Sequence, residues 1–227
     1  MKKRIISILL MVSLLAVTSI TAMASQSDIA VTKNWGHALQ KYVDNQTESD
    51  NVIAKSLEET EDNTIILPQS EIDIAKEFYT VAGYGENEAL QLAIDYVKEI
   101  NTLYQEAIKN GYAVTEEDIM NHLDQMKVEF RSATNKEEIY SFINEFDSEQ
   151  AYWDFQFEMF KKDLPIQRYN ADIEKAFFET NILYDESIEN YSEEEYSDTM
   201  LELEEDWLEE FENMKNIAEN EYSYIIE

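Results

Sequence analysis

The chain has no cysteine, two prolines and four glycines among 227 residues. Without cysteine no disulfide can form, so apolar packing has to carry the stability. A lipoprotein anchor, which needs a lipidated cysteine, is excluded too. So little turn chemistry disfavours a many-stranded β fold and points to long helices. Basic residues are also scarce: 17 Lys and Arg face 49 Asp and Glu, a formal net charge of −32. Binding a phosphate backbone depends on Lys and Arg replacing its counterions. Nucleic acid is therefore not an expected partner, and neither is an anionic membrane surface. With 44% hydrophobic and 12% aromatic residues, the chain still has the material of a folded core, unlike disordered acidic sequences. Catalytic signatures are missing: the sequence has no Gly-rich phosphate loop, nucleophile elbow or His-Glu-x-x-His helix. Carboxylate pairs of the glycosidase kind can be drawn anywhere among 49 acidic residues and discriminate nothing. The expectation is a protein that is not an enzyme and needs no cofactor.

Lys2, Lys3 and Arg4 form a basic start, Ile5 to Ile20 is mostly apolar, and Ala22-Met23-Ala24 offers the small-x-small pattern of a cleavage site. This reads as a signal peptide over residues 1–24. The rival, a membrane anchor, is disfavoured because Ser7, Ser13, Thr18 and Ser19 interrupt a run shorter than the ~20 residues of a spanning helix. Cleavage leaves 203 residues, 25–227, expected to form one domain, secreted or held in the envelope space without a stable membrane anchor. Losing three basic residues leaves 14 Lys and Arg against 49 Asp and Glu, a net charge near −35.

Trp35, Ala38, Leu39, Tyr42 and Val43 recur at helical spacing, which predicts a short amphipathic helix. The β-branched runs "NVIAKS" and "NTIIL" flank the acidic "LEETED" and suggest a small β-hairpin. Ser70 and Asp73 are placed to cap the next helix, which Gly83 and Gly85 end. Asn87 to Asn110 keeps Ala93, Val97, Tyr104 and Ala107 on one face. Gly111 stands where a helix end needs the left-handed region. Thr115 caps a following helix, with Glu116, Glu117 and Asp118 at its positive end. That helix buries Ile119, Leu123, Met126 and Phe130. A short helix with Ile139, Phe142 and Ile143 follows, and Asp147-Ser148 caps "EQAYWDFQFEMFKKDL". Pro165 lacks a backbone donor and is expected to kink or break the helix. Beyond it "IQRYNADIEKAFFETNILYDES" is again helical, and "NYSEEEYSD" is a link. Met200 to Ala218 forms the last helix, expected to dock on the Asn87–Phe130 hairpin. The tail "EYSYII" alternates and suits a strand beside "NTIIL".

The hairpin around Gly111 resembles the SurA N-terminal-domain family of exported chaperones. Gln105-Glu106-Ala107, Gly111 and Val114-Thr115-Glu116-Glu117-Asp118-Ile119 match its helix end and the opening of its next helix. "DSEQAYWDFQFEMFKKDLPIQRY" is similar to its acidic cap, Tyr-Trp pair and closing segment. The resemblance spans about Val52 to Tyr169, with residues 170–227 as a C-terminal helical arm. It departs from the family in lacking the Asn-Gly turn of the entry hairpin. The resemblance implies a mostly α, SurA-N-like bundle in which the C-terminal helix packs back on the others. It also implies a chaperone that cradles unfolded polypeptide. Some members carry a parvulin prolyl-isomerase domain, but this chain has no Gly-Gly and only His37 and His122, so isomerase activity is not expected.

Tyr152, Trp153, Phe155, Phe157, Phe160 and Tyr169, joined by Trp207 and Phe211, are the candidate peptide-binding residues. Trp153, Phe157 and Phe160 suit one buried face, whereas Tyr152 and Phe155 point elsewhere and suit either an apolar groove or a second packed face. Asp118 and His122, four apart on one helix, make half a metal site with no visible third ligand, so no metal is expected. "SEEEYSD" and "LEEDWLEEFE" lack the alternating ligands and glycine of a calcium loop and suit a solvated face. The expected function is non-enzymatic binding of unfolded or extended polypeptides, preferentially basic, outside the cytoplasmic membrane. The alternatives are an acidic interaction protein with one folded partner, or a low-affinity cation binder at the envelope.

Overall fold

The computed structural model describes residues 29–46, 63–134, 136–183 and 193–227. Residues 1–24, expected to be a signal peptide, and "NVIAKS" lie outside the described residues. The described chain is mostly α, with seven helices and two short strands in the order α1 (Ile29–Gln46), β1 (Thr64–Leu67), α2 (Gln69–Val81), α3 (Glu86–Lys109), α4 (Glu116–Ser132), α5 (Lys136–Ile143), α6 (Glu149–Leu183), α7 (Glu193–Glu219) and β2 (Ser223–Ile226).

The turn after α3 forms as its residues require. Gly111 takes φ +90, its N–H meets the Ile108 carbonyl and the Tyr112 N–H that of Ala107. This crossed pair satisfies carbonyls a helix end otherwise leaves open. Thr115 and Asp118 then build a reciprocal capping box on α4. Ser148 caps α6 by accepting from the Ala151 N–H at 3.0 Å. Ser70 does not cap α2: the helix starts one residue earlier at Gln69 after Pro68, with no side-chain cap. Proline suits that boundary because its fixed φ fits a helix entry.

Two expectations about the long helices are corrected. Pro165 neither breaks α6 nor ends it, and the helix runs 35 residues through it. Leu164 and Ile166 on either side are buried, so tertiary packing outweighs the hydrogen bond that proline removes. The last helix begins at Glu193, ahead of Met200, and takes up part of the expected link.

An aromatic core joins α1, α4, α5 and the first half of α6 around Leu39, Phe130, Phe142, Tyr152 and Phe160. A second cluster joins β1, α2 and the start of α3 through Ile65, Leu67, Ile72, Ala89 and Ala93. α7 packs back on α3 and α6, so of the expected α3–α4 hairpin it is α3 that provides the main seat. Lys98 to Glu219 (2.6 Å) and Lys215 to Glu99 (2.9 Å) tie α7 to α3. The tail pairs with "TIIL" as anticipated: β1 and β2 run parallel, with Thr64 opposite Ser223 and Leu67 opposite Ile226. Tyr224 Oη reaches Thr102 Oγ1 at 2.8 Å, fixing the tail against α3. No described helix is long and apolar enough to cross a membrane.

Candidate functional site

A cavity of about 50 Å³ opens where α1, α2, α3 and α6 meet. Helical periodicity builds its walls. Along α2, Glu71, Ile74 and Phe78 follow at three- and four-residue steps, and along α6 Phe155, Met159 and Lys162 do the same, so each set shares one face. Leu39 and Tyr42 close the α1 side, and Val97 and Ile100 the α3 side. The lining is mainly apolar, and its polar groups come from Glu71, Tyr96, Glu158, Lys162 and Asp163.

Those polar groups differ in what surrounds them. Lys162 is only 4% exposed, and its Nζ donates to Glu71 Oε1 at 2.7 Å and Asn101 Oδ1 at 3.0 Å. Asn101 Nδ2 in turn donates to Glu71 Oε2 at 3.2 Å and to the Val97 carbonyl at 2.7 Å. The buried ammonium is thus paired and hydrogen-bonded, the condition under which a buried charge is tolerated. Asp163 is 5% exposed and lines the cavity next to Lys162 in the chain. Burial pushes this carboxyl up to about 7, with Lys162 opposing and Glu71 adding to the rise. Burial also raises the Tyr42 and Tyr96 hydroxyls, with nearby carboxylates reinforcing it, so both stay protonated near neutral pH.

Of the eight residues expected to bind peptide, one lines this cavity: Phe155. Tyr152, Trp153 and Phe160 are buried in the aromatic core, with Phe157 packed against it. Tyr152 lies edge-on to Phe146 (5.3 Å) and Trp153 (4.9 Å). Of the two residues that suited a groove, Tyr152 is packed in the core, whereas Phe155 packs there and also lines the cavity. Tyr169 meets Tyr112 at 5.5 Å. Trp207 meets Phe177 at 5.4 Å and Phe211 at 5.3 Å, which holds α7 to α6. Sequence reasoning missed Glu71, Asn101, Lys162 and Asp163. The signal was present in "FEMFKKDLPI", where charged residues share the stripe of Phe155 and Met159.

Asp118 is committed elsewhere, and His122 packs on the aromatic core. The Asp118 carboxylate accepts from Thr115 Oγ1 (2.6 Å), the Thr115 N–H (2.9 Å) and Arg168 Nη2 (2.8 Å), which together hold its carboxyl well below the usual range. His122 lies edge-on to Phe160 at 4.6 Å, and burial lowers its pKa. Among the described residues no group of three or more His, Cys, Asp or Glu side chains is placed to hold a metal ion. Of the two acidic stretches, residues 203–212 and all but the first residue of 192–198 lie on α7, where Glu212 pairs with Lys215 at 2.8 Å. No family model, curated protein or solved structure matches the chain.

Proposed function

We propose that the protein binds extended or unfolded polypeptides outside the cytoplasmic membrane, without enzymatic activity and with a preference for basic chains. The observation that carries this reading is a mainly apolar cavity lined by a buried carboxylate, Asp163, on a chain of net charge −32. Apolar surface supplies sequence-tolerant attraction, and the charge steers cationic segments toward it. The similarity of Gln105–Ile119 to the SurA N-terminal-domain opening and the leader-like residues 1–24 support the same reading. A second reading, one folded partner, is favoured by Leu201 and Leu208. They stand seven residues apart on α7 and are 57% and 49% exposed.

Capture of co-purifying polypeptides from the native envelope separates the two. Many unrelated chains, enriched in Lys and Arg, support polypeptide binding, whereas a single stoichiometric chain supports the partner. Aggregation of a chemically unfolded protein should be suppressed without nucleotide. Prolyl exchange in a test peptide should stay at the uncatalysed rate of roughly tens of seconds or slower, and acceleration would overturn the non-enzymatic assignment.

A further inference from the structure

The geometry points to the cavity between α1, α2, α3 and α6 as a subsite for one lysine side chain of an extended polypeptide, its stem along Ile74, Phe78 and Met159 and its ammonium on Asp163. This rests on the polypeptide-binding reading and narrows it to a residue type and a place.

Size selects the occupant first. A cavity needs roughly 10–15 Å³ by this measure to hold one water, so about 50 Å³ takes a chain of about four or five heavy atoms. A lysine side chain, with four methylenes and a nitrogen, is of that size. A phenylalanine or tryptophan side chain, with seven or ten heavy atoms, is too large for that volume.

Chemistry selects the head group. A wholly apolar occupant would further seal the buried Asp163 carboxylate from water, at a cost in desolvation. An anionic head would meet Asp163, Glu71 and Glu158 together, and the one cation, Lys162, already holds Glu71 and Asn101. An ammonium supplies a donor and the opposite charge, in a surrounding of low polarity that strengthens the contact. Glu71, Glu158 and Lys162 are the other charged groups facing the site, and Tyr42 and Tyr96 face it protonated. Lysine binding therefore competes with the proton on Asp163. With a carboxyl near 7, the lysine contribution should weaken about tenfold between pH 8 and pH 6.

The test is calorimetric titration of the protein with two extended Ser/Gly/Leu peptides that differ only in one central residue, lysine or its uncharged isostere norleucine. n-Butylammonium is the third probe. At about pH 8 the lysine peptide is expected to bind on the order of tenfold tighter, and the margin should shrink at about pH 6. Asp163→Asn should abolish the margin while leaving norleucine-peptide binding in place. In the unsubstituted protein, the methyl resonances of Ile74 and Met159 should shift with the lysine peptide, which keeps the test independent of the variant's folding. Equal binding of the twins overturns the subsite while polypeptide capture stands. A margin that survives in Asp163→Asn also overturns it, by assigning the preference to surface charge. Asp163-dependent binding of n-butylammonium with neither peptide bound overturns both readings in favour of a free amine.

Discussion

The two halves of α6 are made of similar residues and have opposite fates. Up to Ile166 the helix buries Tyr152, Trp153, Phe155, Phe160 and Leu164, residues on every side of it. From Gln167 to Asn181 no residue is fully buried, although Tyr169, Phe177 and Phe178 lie there. The difference is in the neighbours. The first half is surrounded by α1, α3, α4 and α5, so apolar residues on all faces find partners. The second touches α4 through Arg168–Asp118, the α3–α4 turn through Tyr169–Tyr112, and α7 through Phe177–Trp207. Aromatic content marks a helix as a packing element, and the number of helices meeting it decides the burial.

The sharpest way to break that comparison is to truncate the same residue type in each half. Phe160→Ala removes a fully buried ring and should cost about 3–5 kcal/mol in denaturant unfolding. Phe178→Ala, half-buried with one ring neighbour, should cost about 1 kcal/mol or less. Equal losses would mean that the outer half is packed as tightly as the inner one.

Asp163 lies in the inner half, where packing comes at the expense of solvation. Its folded carboxyl is raised from 3.8 to about 7, so between those values the native state binds the proton that the unfolded chain has released. Stability should therefore fall as pH rises from about 4 to about 7 and level off above. Asp163→Asn should flatten that slope and, near pH 8, gain up to a few kcal/mol. Melting profiles across this range check it, and an unchanged slope in the variant would show that the carboxyl is solvated.

Much of this was legible in the sequence. Gly111, Thr115 and Asp118 announce the α3–α4 turn because each acts through local backbone chemistry that needs no distant partner. The tail strand was readable from its alternation. The continuity of α6 was not, because local rules set proline against the helix, and only the burial of Leu164 and Ile166 tips the balance back toward it. The cavity was equally hidden: Glu71, Asn101 and Lys162 are 30 and 91 residues apart along the chain, counted from Glu71. No periodicity encodes such a meeting. Tyr152 looked available for ligand because a single helix cannot show that a second face is also covered.

Trp207 tests the outer half from the α7 side. It is half-buried and meets two rings, so Trp207→Ala should cost about 1–2 kcal/mol, less than a core aromatic. Hydrogen exchange should speed along α7 while α4 and α5 stay protected. Uniform loss of protection would instead make α7 part of the cooperative core.

The smallest effects should come from the polar tie between α4 and the outer half of α6. Thr115→Ala removes the hydroxyl that accepts from the Asp118 N–H at 3.2 Å and donates to its carboxylate at 2.6 Å. A lost N-cap costs about 1 kcal/mol. Arg168→Gln should cost less at neutral pH, because the Arg168–Asp118 pair is exposed and solvent screens it. Acid should distinguish the two contributions to the same carboxylate. Thr115 is the larger cause of the depressed Asp118 pKa and Arg168 the smaller. Stability held by this group is present above its unfolded pKa and is lost only as pH falls toward the depressed folded value. Thr115→Ala should therefore raise the Asp118 titration midpoint more than Arg168→Gln does, as followed by carboxyl NMR. The reverse order would make the ion pair, rather than the cap, the main cause of the depressed Asp118 titration.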